Sequence, residues 1–103
     1  MRVLYIEEMS NVMRTEEGNH GRFKADDGGH TVGELTYSRA GDNLVILNHT
    51  AVSPDARGTG VGRTLVDAAV AWARETQTKL MPLCPYAKSV FEKDASLADV
   101  WHR

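Results

Sequence analysis

The residues with most chemistry in them are a lone thiol and a run of glycines. Cys84 is the only cysteine of the chain and is followed directly by Pro85. Proline favours the first position of a helix, so the thiol is expected where a strand ends and a helix begins. The positive end of the helix dipole lowers a thiol's pKa there and raises the fraction present as nucleophilic thiolate. Two plainer uses fit the same position: a small apolar side chain lining a ligand site, and a structural core thiol. Arg57-Gly58-Thr59-Gly60-Val61-Gly62 lies between an apolar, β-branched run and a run with helical period. At a strand-to-helix turn the first amides lack partners, and glycines let the backbone close on phosphate oxygens. The alternative is a sharp turn with close helix–sheet contact. His49, three residues before the strand ends at Val52, is expected to reach the thiol or a bound substrate as a general base. A histidine hydrogen-bonded within the sheet is the other reading.

The spelling of the glycine run excludes two familiar phosphate motifs. A dinucleotide fingerprint needs glycine where Arg63 stands, and a P-loop needs Lys then Ser or Thr after Gly62, which is followed by Arg63-Thr64. Arg-x-x-Gly-x-Gly, supplied by Arg57, Gly60 and Gly62, does fit, and it resembles the pyrophosphate-binding signature of the GNAT acetyltransferases. His49-Thr50-Ala51-Val52, the loop, Leu65-Val66 and Pro82-Leu83-Cys84-Pro85-Tyr86-Ala87 follow in that family's order. The chain is similar, from about Phe23 to Trp101, to a small GNAT subfamily with a cysteine near the acetyl group.

That resemblance implies acetyl-CoA as cofactor and acyl transfer to an amine, with Cys84 as carrier of the acetyl group in a ping-pong reaction. It implies a cofactor site made of Val52, Arg57, Gly58, Thr59, Gly60, Val61, Gly62 and Arg63, with Lys88 as a further phosphate contact. It gives Tyr86 the role of proton donor to departing CoA thiolate, beside the alternative of packing against the cofactor. The amine acceptor is unnamed. So short a chain leaves little for a deep acceptor pocket, which points to an exposed amine on a macromolecule or a site completed by a partner. A CoA-binding sensor or regulatory module without turnover is the alternative function, and a structural anion-binding domain a third.

The elements needed to position these groups can be read from periodicity. Met1–Ile6 fits a short strand, and Asn11–His20, polar and containing Gly18-Asn19, fits a loop within an extended N-terminal arm of residues 1–20. Arg22–Asp26 and Thr31–Ser38 alternate around the turn Asp27-Gly28-Gly29 and predict a hairpin, with Leu35 and Tyr37 on one face. Leu44–Val52 reads as the central strand, with Asn48 and Thr50 on the face opposite His49. Leu65, Val66, Ala69, Val70, Trp72 and Ala73 form one apolar stripe on a helix from about Gly60 to Thr76. Lys79–Cys84 then reads as a strand and Tyr86–Lys93 as a second helix with Val90 and Phe91 inward. The fold class expected is α/β (α+β): a GNAT-like mixed sheet, antiparallel strands first, then a strand–helix–strand–helix unit with ligand at the carboxyl strand ends. Residues 1–103 are expected to form one domain.

Composition narrows the field. A 42% hydrophobic, 25% charged chain of 103 residues is typical of a folded domain. The formal charge of −2 speaks against a general nucleic-acid surface. No apolar run approaches the roughly 18 residues of a membrane span, and the start, Met1–Glu8, turns acidic too soon for a signal peptide. A cytoplasmic protein is expected. With one cysteine there is neither an internal disulfide nor the usual zinc set, so no metal is expected. His20, His30 and His102 fall in polar segments and read as exposed.

Overall fold

A computed structural model describes residues 4–9, as backbone, and 11–103 in full. Six strands form one sheet in the order of the chain: β1 Leu4–Met9, β2 Val12–Glu17, β3 His20–Asp27, β4 His30–Gly41, β5 Leu44–Val52 and β6 Lys79–Pro82. Neighbours from β1 to β5 are antiparallel, and β5 and β6 are parallel, joined by helix α1, Val61–Thr76. Helix α2, Pro85–Lys93, follows β6, and a 3₁₀ segment, Ala95–Val100, closes the chain. The expected mixed sheet with a strand–helix–strand–helix unit is present.

Alternation along the strands sends one row of side chains into the core: Val12, Phe23, Ala25, Leu35, Tyr37, Val45, Leu47 and Leu80 are buried. The α1 stripe of Leu65, Val66, Ala69, Val70, Trp72 and Ala73 covers that face together with Ala87, Val90 and Phe91 of α2. Each large apolar side chain so buried contributes about 1.5–3 kcal/mol. Trp72 anchors the layer, its ring centroid 5.9 Å from Phe23 and 5.4 Å from Tyr37. Gly33 makes the close approach possible, since a Cβ there would lie 2.5 Å from Val61 Cγ1.

Three sequence expectations need correction. Asn11–His20 is mostly strand, not loop: β2 pairs with both β1 and β3. Its inward positions are Val12, Arg14 and Glu16, so buried charges hide the apolar alternation. The first residues of the expected Met1–Ile6 strand, 1–3, lie outside the described residues, while Leu4–Ile6 belong to β1. β5 is fifth of six strands rather than central, because the N-terminal hairpin adds two strands on the far side. β6 stops at Pro82, opposite Leu47, and the amides of Leu83 and Cys84 both reach the Leu47 carbonyl at 3.1 Å as the chain turns away.

Candidate active site

The geometry of the site begins with a β-bulge. Tyr37 pairs with Leu47 but the next residue back, Thr36, pairs with His49, so Asn48 is an extra residue in β5. Before it, odd-numbered Val45 and Leu47 face the helices. After it the parity reverses, and Thr50 stands opposite fully buried Leu35 while His49 stands opposite Thr36 on the other face. Asn48 Nδ2 donates to Ser38 Oγ at 2.7 Å, which puts Asn48 on the same open face as His49. Thr50 is on the face away from His49, as expected; Asn48 is not.

The expected contact of His49 with the thiol is therefore replaced by another. Thr50 Oγ1 lies 3.2 Å from Cys84 Sγ, whereas His49 is exposed and its carbonyl accepts from Thr36 Oγ1 at 3.4 Å. Cys84 is the N-cap of α2, only 3% exposed, with Pro85 at the first helical position. Burial alone pushes its pKa up. The Thr50 hydroxyl, and the backbone N–H groups of Ala87, Tyr86 and Thr50, act the other way and prevail, holding the thiol below its ordinary value. The sulfur makes no capping hydrogen bond of standard geometry, so those amides act as nearby dipoles.

On the far side of β5, strand pairing ends at Leu47. Among the described residues no strand follows Asn48–Val52 on that edge, and a groove of about 400 Å³ opens there, lined by His49–Val52, Arg57, Gly62 and Tyr86. It continues into a second groove over the glycine loop that shares Val52, Arg57, Gly62 and Tyr86. Gly58 and Gly60 hold φ of 83° and 87°, the left-handed region where glycine is at ease. Gly60 is the N-cap of α1 and offers no side-chain cap, and the first turn carries no acid. The leading amides of α1 are thus left for an anion. Gly62 serves differently: a Cβ there would lie 3.0 Å from the Tyr86 ring. The Arg57 side chain is exposed beside the loop with no ion-pair partner among the described residues. A strand edge, a run of open amides and a free guanidinium form one continuous track toward Cys84.

The family model described as GCN5-related N-acetyltransferase matches residues 22–100. The chain belongs to the GCN5-related N-acetyltransferase family. A GCN5-like protein of Staphylococcus aureus, solved by NMR, is 36% identical over 91% of both chains with a TM-score of 0.68. Two further structures share the fold: a ribosomal-protein-alanine N-acetyltransferase of Brucella melitensis (22% identity, 73% of this chain, 60% of that one, TM-score 0.64) and the aminoglycoside N-acetyltransferase AAC(6')-Iy in complex with CoA (18%, 74%, 66%, TM-score 0.55). No curated protein matches the chain. No helix among the described residues is long and apolar enough to cross a membrane.

Within this acetyltransferase the remaining sequence-selected residues divide. Val52 lines the groove, and Thr59 Oγ1 donates to the Ala56 carbonyl, tightening the loop. Val61 brings its amide to the start of α1 while its side chain packs on Gly33. Arg63 is turned away: Nε meets Asp67 at 2.8 Å and Nη2 meets Asp94 at 2.5 Å. Hydrogen bonds to Asp67 and Asp94 hold the guanidinium more firmly protonated, and hydrogen bonds from Ser96 and then Arg63 bring the Asp94 carboxyl down to about 2. Lys88 is exposed on α2 and lines neither groove. Tyr86 lies against Gly62, with its hydroxyl at the glycine-loop end of the track, a placement suited to packing along a ligand. Thr50 is the residue that sequence reasoning passed over. Its signal was the polar run Asn48-His49-Thr50, which puts polar His49 where unbroken alternation requires a core residue.

Proposed function

We propose that this acetyltransferase moves an acetyl group from acetyl-CoA to an amine through an acetyl-Cys84 intermediate, residues 22–100 forming one acetyl-CoA-binding unit. The observation that carries this reading is the continuity of the track from the glycine loop, past Arg57, to Thr50, whose hydroxyl lies 3.2 Å from the Cys84 thiol. The pyrophosphate fits the α1 amides and Arg57, whose charge-assisted hydrogen bonds are the strong kind. The pantetheine arm carries two amides, which fit the unpaired backbone of Asn48–Val52 as an added strand would. Bound this way, the cofactor would bring its thioester to Thr50.

Cys84 Sγ, as thiolate, attacks the acetyl carbonyl; a C–S bond to Cys84 forms, the bond to CoA breaks, and CoA departs as a thiolate that takes a proton from solvent. One thioester replaces another, so the acetyl group stays activated. The acceptor then enters the groove at the open edge of β5, which His49 and Thr50 both line. His49 takes the proton of its ammonium, the neutral amine attacks acetyl-Cys84, a C–N bond forms, the attacking nitrogen gives its second proton to solvent, and the C–S bond breaks to release the Cys84 thiolate. An acceptor presented on a macromolecule suits a groove this open.

Incubating the protein with acetyl-CoA and recording its intact mass tests the route. The expected result is one hydroxylamine-labile acetyl group, absent from Cys84→Ala, with transfer to an amine panel lowered by more than about a hundredfold in that variant. Transfer by Cys84→Ala at the normal rate overturns it.

A further inference from the structure

We propose that Thr50 is the positioning residue of the Cys84 thiol, a place that the bulge at Asn48 gives it in exchange for His49. Thr50 Oγ1 sits 3.2 Å from Sγ and is held there by a strand paired to Leu35, itself wholly buried. A hydroxyl is suited to a sulfur that changes state. It can accept from S–H and, after rotation about its C–O bond, donate to S⁻ without moving a heavy atom. It carries no charge, so the thiol is tuned by a neutral donor and helix amides rather than by an imidazolium.

Regular alternation would have set His49 against the sulfur and turned Thr50 outward. The extra residue Asn48 exchanges them. Asn48 itself is fixed on the open face by Ser38, which in turn meets His20 Nδ1 at 3.3 Å. The exchanged register is thus braced across three strands. The titratable and charged groups nearest the thiol are those lining the groove beside Thr50: Arg57, Tyr86 on the helix that Cys84 caps, and His49, whose place on β5 is on the face away from Thr50.

This inference deepens the acetyl-Cys84 reading, but its test needs no acetyl-CoA, so the two fail separately. The rate of Cys84 alkylation by iodoacetamide is followed against pH in the free protein. Removing a hydrogen bond to a charged acceptor predicts that Thr50→Val slows alkylation at neutral pH by about tenfold and moves the profile to higher pH. Thr50→Ser, which keeps the hydroxyl, restores the profile. His49→Gln leaves the thiol's profile where it was, although it slows transfer to amines. If Thr50→Val does not fold, Thr50→Ala beside Thr50→Ser gives the same comparison. An unchanged profile in the hydroxyl-free variants, or a profile moved by His49→Gln instead, overturns the proposal.

Discussion

The two ends of the sheet treat polar groups in opposite ways. At the β2–β4 end, Glu16 is 4% exposed and accepts from Arg14 Nη1 at 3.2 Å, Tyr37 Oη at 2.6 Å and Arg39 Nε at 2.8 Å. Both guanidiniums also lie over the Trp72 ring, at 4.8 and 5.4 Å from its centroid. These groups satisfy one another. At the β5–α1 end, helix amides have no side-chain cap, and among the described residues Arg57 has no counter-ion and the edge of β5 past Leu47 has no neighbouring strand. A buried polar group must find a partner in the protein or in a ligand. The first end has found its partners internally and is structural. The second is built to find them outside, and that difference identifies the site more surely than any single residue.

The contrast can be broken most forcefully at Glu16. Glu16→Ala leaves Arg14, Arg39 and Tyr37 without their shared acceptor and is expected to cost about 3 kcal/mol of stability, read from denaturant unfolding, while the folded fraction still binds CoA. The same residue sets a pH dependence. Burial pushes its carboxyl up, but hydrogen bonds from Arg39 and Tyr37 and the charges of Arg39 and Arg14 bring it below its ordinary value. A lowered folded-state pKa stabilises above the unfolded-state pKa, and that stabilisation is lost as pH falls through the folded value. The unfolding midpoint therefore drops on acidification, and Glu16→Gln flattens that drop. A fall in CoA affinity with intact stability would erase the distinction between the two ends.

Gly60→Ala asks less of the fold and more of the ligand. Holding alanine at a φ of 87° costs about 1–2 kcal/mol, and relief of that strain turns the α1 amides aside. Titration calorimetry is expected to show CoA binding weakened by about tenfold. Full affinity in this variant would remove the loop from the site. The smallest effect separates two arginines six residues apart. Arg57→Ala is expected to weaken CoA severalfold at low salt, less at high salt, whereas Arg63→Ala leaves affinity within about twofold because Asp67 and Asp94 already engage it. The reverse order would mean that the groove has been traced on the wrong side of the helix.

Much of this was legible in the residues. The Asp27-Gly28-Gly29 turn, the α1 stripe and the Pro85 helix start are local signals, each with a local physical cause, and each is found where periodicity put it. β2 was not legible, since Arg14 and Glu16 occupy inward positions and are tolerated there only because Tyr37, Arg39 and Trp72 wait on strands and a helix far along the chain. The glycine loop was legible as the turn that starts a helix, but the division of labour within it was not: Gly58 and Gly60 are there for their dihedral angles, Gly62 for the Tyr86 ring. Arg63 looked equivalent to Arg57 until Asp94, thirty-one residues away, was seen to hold it. His49 and Thr50 exchanged places because a bulge changes parity, and parity is a property of the paired strand, which no single segment contains.

The four-residue pairing of β5 with β6 has one more consequence. Past Leu47 the sheet carries a bare edge of about five residues, the kind of surface by which chains stick to one another. The bulge twists that edge and keeps it short, which discourages a second copy from docking there. On the proposed reading, a small molecule with amides of its own completes the sheet there instead. Bound CoA is then expected to raise the unfolding midpoint and lower self-association together.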